Sequence, residues 1–297
     1  MPGEARFLDP AIIARLGTID LKVRTIVEGF LTGLHRSPYK GFSVEFAEYR
    51  QYIHGDDLAT LDWKVFARSD RYFVKKFEEE TNVTCHLLLD VSASMGYGSH
   101  GITKMEYGSY LAGALAYLMN RQRDAFGLIA FDETIVSMLP ASARSGHLRA
   151  TLVALERLKL GKRTDVAKPL RDLAAAIRKR GLAVLISDLL DDPARVIEGL
   201  KHLRYRGTDV VVFHVLDPHE LSFPFDRAAR FRDMETADEV MAVPASVRQD
   251  YLERMQAMIA HYQRELGLAG IDYCRLETSE PLELGLMSYL MTRRKVL

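Results

Sequence analysis

Cysteine is nearly absent: Cys85 and Cys274 are the only two among 297 residues. Both lie in apolar runs, so they read as buried thiols and give neither a disulfide framework nor a zinc site. An excess of one charge is also lacking. Lys plus Arg and Asp plus Glu each number 40, so no global field draws in nucleic acid or an anionic membrane. No run approaches the ~20 apolar residues of a spanning helix, and the longest uncharged helical stretch is only Tyr107 to Asn120. The opening MPGEARFLDP has no apolar core of the kind a signal peptide needs. These absences predict a cytoplasmic protein with no membrane span and no nucleic-acid partner. No P-loop, H-E-x-x-H or G-x-S-x-G motif occurs, which argues against nucleotide, peptide or ester hydrolysis by those routes.

What is present is enough apolar material for a large core, at 48% hydrophobic and 27% charged. Residues 1–80 lack a regular alternation of strand and helix. Val23, Ile26, Val27, Phe30, Leu31 and Leu34 recur at helical spacing and predict a helix from about Asp20 to His35. Phe42, Val44 and Phe46 alternate as in a half-buried strand, and Tyr72 to Phe77 does so more weakly. The only tryptophan, Trp63, lies between them. Residues 1–80 are therefore expected to form an α+β appendage packed on a main domain of residues 81–297. In that domain, short apolar runs alternate with long helical segments. The strands expected are Thr84–Leu89, Phe126–Phe131, Ala183–Ser187, Val210–Leu216 and Ile271–Leu276, with Ile135–Leu139 returning as an antiparallel hairpin partner. The fold class predicted is α/β, a doubly wound, mostly parallel sheet. Ser279 is the expected N-cap of a closing helix, and a small hairpin is expected between Arg230 and Val243.

In such a sheet, ligands bind beyond the carboxyl ends of the strands, where strand order reverses. Asp90, Asp132, Asp188 and Asp217 each end an apolar run. Asp132 and Asp217 read as turn or cap residues. Asp90 begins Asp90-Val91-Ser92-Ala93-Ser94, in which a carboxylate and two hydroxyls alternate, and all-oxygen sets suit Mg²⁺, Mn²⁺ or Ca²⁺. Thr164, just before a helix, and Asp188, closing the fourth strand, are placed to add two more oxygens. Each has a plainer reading when taken singly: Thr164 as a helix N-cap, and the serines as caps of the helix that follows them.

Together the five residues Asp90, Ser92, Ser94, Thr164 and Asp188 resemble the metal-ion-dependent adhesion site of von Willebrand factor A domains. Arg163 stands where many such domains have glycine before the threonine. Upstream, Gly55-Asp56-Asp57, Leu61-Asp62-Trp63, Ala67-Arg68 and Phe73-Val74-Lys75 resemble the N-terminal block of an uncharacterised bacterial family, domain of unknown function fifty-eight. That resemblance implies a sheet of von Willebrand factor A type and genes commonly placed beside MoxR-type AAA+ ATPases. It also implies a metal-dependent protein-binding adaptor with no catalysis of its own. The implied partner is such an ATPase or its client, offering a Glu or Asp to the metal.

Two rivals arise from the same residues. Gly96, Gly98 and Gly101 match G-x-G-x-x-G, but they stand too far from the strand end for a dinucleotide turn. A haloacid-dehalogenase-like phosphohydrolase would use Asp90 as nucleophile, with Asp188 and Asp192 on Mg²⁺. The general acid of that chemistry belongs two positions after the nucleophile, where Ser92 stands. His54, His86 and His214 read as core or edge residues rather than ligands.

Overall fold

The apolar runs after residue 83 pair side by side in one six-stranded sheet. The computed structural model describes residues 9–36, 49–51, 73–75, 84–161, 165–176, 181–236 and 238–296. In chain order the elements are α1 (Pro10–Ala14), α2 (Ile19–Arg36), β1 (Tyr49–Gln51), β2 (Phe73–Lys75), β3 (Thr84–Asp90), α3 (Lys104–Arg121), β4 (Ala125–Phe131) and β5 (Ile135–Ser142). They continue with α4 (His147–Arg157), α5 (Ala167–Ala176), β6 (Gly181–Ser187), α6 (Pro193–Tyr205), β7 (Asp209–Leu216) and α7 (Pro218–Ser222). The last are β8 (Ala229–Arg232), β9 (Glu239–Ala242), α8 (Pro244–Leu268), β10 (Asp272–Glu277) and α9 (Glu283–Val296).

The sheet order is β10-β7-β6-β3-β4-β5, parallel throughout except for β5, which runs antiparallel to β4. This is the doubly wound, mostly parallel sheet expected from the sequence. The chain winds from β3 outward to β4 and β5, then returns to lay β6 on the other side of β3. The reversal of strand order therefore falls between β3 and β6, and their carboxyl ends border the crevice there.

Both faces of the sheet are covered, which is why its strands are apolar runs rather than alternating ones. On one face α5, α6 and α8 bring Leu170, Leu200 and Tyr262 against Leu88, Leu185 and Val212. On the other lies α3, fixed at its start by a capping box. The Thr103 hydroxyl accepts from Glu106 N at 3.1 Å, and Glu106 Oε2 accepts from Thr103 N at 2.9 Å. Gly113 lets α2 approach closely, because a Cβ there would meet Val23 Cγ2 at 2.7 Å.

That contact places the first helix differently from the boundary expected at residue 80. Two compact units divide the chain: Met1–Gly33 with Val83–Leu297, and Leu34–Asn82. Val23, Ile26, Val27 and Phe30 are buried, and α2 groups in one unit with the sheet. In the second unit, β1 and β2 pair antiparallel, Tyr49 opposite Lys75. Phe42, Trp63 and Tyr72 lie outside the described residues.

Two further expectations are corrected. The closing helix begins at Glu283, and the Ser279 hydroxyl donates to Glu277 Oε1 at 2.6 Å instead of capping it. Cys274 is only half-buried, because β10 is an edge strand; Cys85, in central β3, is buried as expected. The hairpin expected between Arg230 and Val243 is present as β8 and β9. Among the described residues, no helix is long and apolar enough to cross a membrane.

Candidate functional site

β3 ends on Asp90 and β6 ends on Ser187, one residue before Asp188, so both aspartates reach the crevice at the strand-order reversal. Asp90, Ser92 and Asp188 are fully buried and Ser94 nearly so. Asp90 Oδ1 accepts from Ser92 N at 2.9 Å, and Oδ2 accepts from the Ser187 hydroxyl at 2.6 Å. The Ser92 and Ser94 hydroxyls lie 3.1 Å apart. Ser92 occupies the cap position of the short turn Ala93–Gly96 but makes no side-chain capping bond, so the plainer reading of that serine does not hold.

Thr164 lies outside the described residues. The chain on either side of it is tied to this edge: Gly161 N donates to Val91 O at 2.6 Å, and Val166 N donates to Asp191 Oδ2 at 3.0 Å. At the start of α5, Asp165 Oδ1 accepts from Lys168 N at 3.0 Å. Asp132 and Asp217 do what turn and cap residues do, accepting from Thr134 N and His219 N at 2.9 and 2.8 Å.

Sequence reasoning missed Lys104. Its ammonium is fully buried, 2.7 Å from Asp188 Oδ2 and 2.6 Å from Glu220 Oε1. Burial alone would lower its pKa, but the two carboxylates reverse that and raise it above the ordinary lysine value. Asp90 behaves oppositely. Burial, and then the charge of Asp188, push its pKa up to about 7, against the Ser187 and Ser92 hydrogen bonds that favour its ionised form. His214 was read as a core residue, and it is one, yet it also braces the site. A carbonyl oxygen can only accept, so Nε2 donates to Asp188 O at 2.8 Å and Nδ1 accepts a hydrogen bond from the Tyr273 hydroxyl at 2.7 Å. Burial lowers its pKa to about 4, which keeps the ring neutral.

Leu189, directly after Asp188, is held at φ 52. Such a conformation costs a non-glycine residue about 1–3 kcal/mol and persists only where its surroundings enforce it. Here the Ser187 hydroxyl accepts from Leu189 N at 2.9 Å, and Leu189 O accepts from the Tyr262 hydroxyl at 3.1 Å.

The donor set suits a hard divalent cation: two carboxylates and two hydroxyls, oxygen only. The charge of Asp188 raises the cost of ionising Asp90, which a cation bound there would relieve. Lys104 engages Oδ2 of Asp188, and among the described residues Oδ1 has only a long contact, 3.3 Å, from Leu190 N. Among the described residues, no three His, Cys, Asp or Glu side chains gather as a metal cage, so any cation here depends on the serine hydroxyls. Asp192, the further ligand of the phosphohydrolase alternative, is exposed and caps α6 through Ala194 N at 2.9 Å.

A family model described as "Protein of unknown function DUF58" matches residues 48–261. The chain belongs to this family. Over 291 residues, this DUF58 chain is 26% identical to the uncharacterized protein Rv1480 of Mycobacterium tuberculosis, covering 97% of the chain and 91% of that protein. Among solved structures, it is similar to the conserved hypothetical protein BatB of Bacteroides thetaiotaomicron, with a TM-score of 0.48 and 15% identity over 71% of this chain and 99% of that one. It is likewise similar to an aerotolerance-related membrane protein of Bacteroides fragilis, with a TM-score of 0.49 and 17% identity over 72% and 99%. Those two likenesses are too loose to add to what the strand order of this DUF58 chain already shows.

Proposed function

We propose that the crevice between β3 and β6 holds a hard divalent cation, Mg²⁺ or else Mn²⁺ or Ca²⁺, and that the protein binds a partner through it without catalysing a reaction. The observation that carries this reading is the meeting of buried Asp90, Ser92, Ser94 and Asp188 at the point where strand order reverses. Thr164 is proposed as the fifth contributor. Bound there, the cation would offer an open coordination position to a carboxylate from outside.

The chain's own residues set that position. Ser187 holds Asp90 at one oxygen, Lys104 holds Asp188 at one oxygen, and His214 fixes the Asp188 backbone. Because Lys104 offsets part of the carboxylate charge, the ligands alone leave a divalent ion incompletely neutralised. A Glu or Asp of the partner supplies the remainder. The partner class implied by the family resemblance, a MoxR-type AAA+ ATPase or its client, is part of this reading.

Calorimetric titration with Mn²⁺ and Mg²⁺ tests the proposal on the parent and on Asp90→Asn, Ser94→Ala and Thr164→Ala, with circular dichroism as the check on folding. All three folded variants should bind metal at least about tenfold more weakly, a loss of about 1.4 kcal/mol each. Parent-like metal binding in all three overturns the site.

A further inference from the structure

Between β7 and α8 the chain leaves the sheet, and α7, β8, the turn after β8 and α8 wall a pocket of about 390 Å³. We propose that this pocket binds the guanidinium of an arginine side chain presented by a partner polypeptide. The proposal goes beyond the metal reading and does not depend on it, because the chain's own residues build the pocket.

Much of the wall is aromatic. Phe223 stacks on Phe231 with centroids 5.4 Å apart and lies 4.6 Å from Tyr251, and Phe225 meets both phenylalanines edge-on at 5.1 and 5.3 Å. Aromatic faces carry partial negative charge and attract cations, the more so where water is excluded. The volume is at the small end of ligand pockets, suited to a side chain rather than a cofactor. Among side chains, a planar, weakly hydrated guanidinium stacks on a ring and gives up less water than an ammonium does.

The charge of the lining selects a cation. Glu220, Asp233 and Glu235 stand against Arg232 alone. Lys104 pairs with Glu220, so even with that ammonium counted, three carboxylates face two cations and the balance stays negative. Tyr251 reports the same sign: burial first, and then the charge of Glu220, push its hydroxyl up to about 12, while Lys104 opposes with a smaller effect. Burial also holds the Glu220 carboxyl above its ordinary range in spite of Lys104, so a further cation beside it would favour the ionised form. An acidic guest meets this field with the wrong sign, and a purely apolar guest takes water from the carboxylates without replacing it.

The rings and the carboxylates are both held in place before any guest arrives. Phe223 sits at φ 45, which a bulky residue adopts only under constraint, and Arg248 of α8 supplies it by donating to Phe223 O at 3.1 Å and to Phe225 O at 2.6 Å. Asp233 Oδ1 accepts from the N–H groups of Glu235 and Thr236 at 2.7 and 2.9 Å, which fixes the turn after β8. Glu220 is fixed by Lys104 and by Asp217 N. A site organised in advance loses less freedom on binding.

The test passes four pools of random peptides, with Arg, Lys, Glu or Phe fixed at the central position, over the immobilised full chain in EDTA, so that no metal contributes. The Arg pool should be retained most and the Glu pool least. A consensus peptide from the Arg pool should bind about tenfold or more weakly when that arginine becomes alanine. Asp233→Asn combined with Glu235→Gln should weaken it to a similar degree; both changes keep the side-chain shape, and circular dichroism checks the fold. Arg232→Gln removes a like charge from the lining and should instead strengthen binding about twofold or more, a gain that mere damage to the wall would not give. Equal retention of the pools, or retention led by any pool but Arg, overturns the proposal. So does consensus binding indifferent to both the carboxylate variant and Arg232→Gln. N-acetyl-arginine amide binding as tightly as the peptide overturns the polypeptide source in favour of a small molecule.

Discussion

The Lys104 ammonium lies 2.7 Å from Asp188 Oδ2, and neither side chain touches solvent. A buried pair of this kind adds little stability over an apolar core of the same shape, but removing one partner leaves the other charge stranded. Lys104→Met leaves two stranded carboxylates, Asp188 and Glu220. It should lower stability in urea by about 3–5 kcal/mol, and Glu220→Gln in the same chain should recover part of the loss. An unchanged urea midpoint for Lys104→Met would show that the ammonium does not occupy this position.

Two buried groups oppose each other in their effect of pH on stability. Asp90, raised from 3.8 to about 7, holds a proton in the folded state that the unfolded chain has released. Its contribution is fully present below pH 4 and is lost as pH rises to about 7. His214, lowered from 6.5 to about 4, is neutral when folded and charged when unfolded, so its contribution is present above about pH 6.5 and lost as pH falls toward 4. In metal-free protein the two effects offset each other between about pH 4 and 6.5. Asp90→Asn removes one of them. Urea midpoints in EDTA should rise with pH more steeply in Asp90→Asn than in the parent over that range, and parallel profiles would contradict the raised Asp90 pKa.

Arg248 reaches from α8 to the carbonyls of Phe223 and Phe225 and to Asp226 Oδ1 at 2.8 Å. Arg248→Ala should loosen the loop after α7 without loosening the sheet. Amide exchange should accelerate from Phe223 to Phe231 by about tenfold or more, while the amides of β3 and β6 keep parent rates. Equal acceleration in both places would mean that Arg248 supports the whole core instead.

Phosphatase turnover on a generic phosphomonoester with Mg²⁺ should not rise above background. Ser92 stands where the general acid would be needed, and Asp192 is committed to the α6 cap. Turnover that Asp90→Asn abolishes would favour covalent phosphoryl chemistry over binding.

The strands of the sheet were legible because buried parallel strands are written as contiguous apolar runs, each with an easily read end, whereas the strand order that puts the reversal between β3 and β6 was not. Asp90 and Asp188 followed from those ends. Lys104 did not, since a lysine at the first position of a capped helix ordinarily points into water. Its burial is decided by Asp188, 84 positions later, and Glu220, 116 positions later. Ser187 was read only as the last residue of a strand, and nothing local shows that its hydroxyl crosses to Asp90. That α2 packs on the main domain was expected, but the surface it covers was not legible: its apolar face was evident from spacing, whereas the close approach is set by Gly113, far along the chain on α3.

That same packing of Val23 over Gly113 bears on the order in which the polypeptide becomes organised as it is made. The helix that completes the outer layer of the sheet unit is synthesised before any strand of that sheet, and Leu34–Asn82 separates it from them. Joining the two ends of an interruption of roughly fifty residues costs on the order of 3 kcal/mol in chain entropy. Contacts of such long sequence separation form late in folding. A nascent chain released before α3 has formed would carry α2 with its apolar stripe uncovered, making this early segment the one most in need of a chaperone.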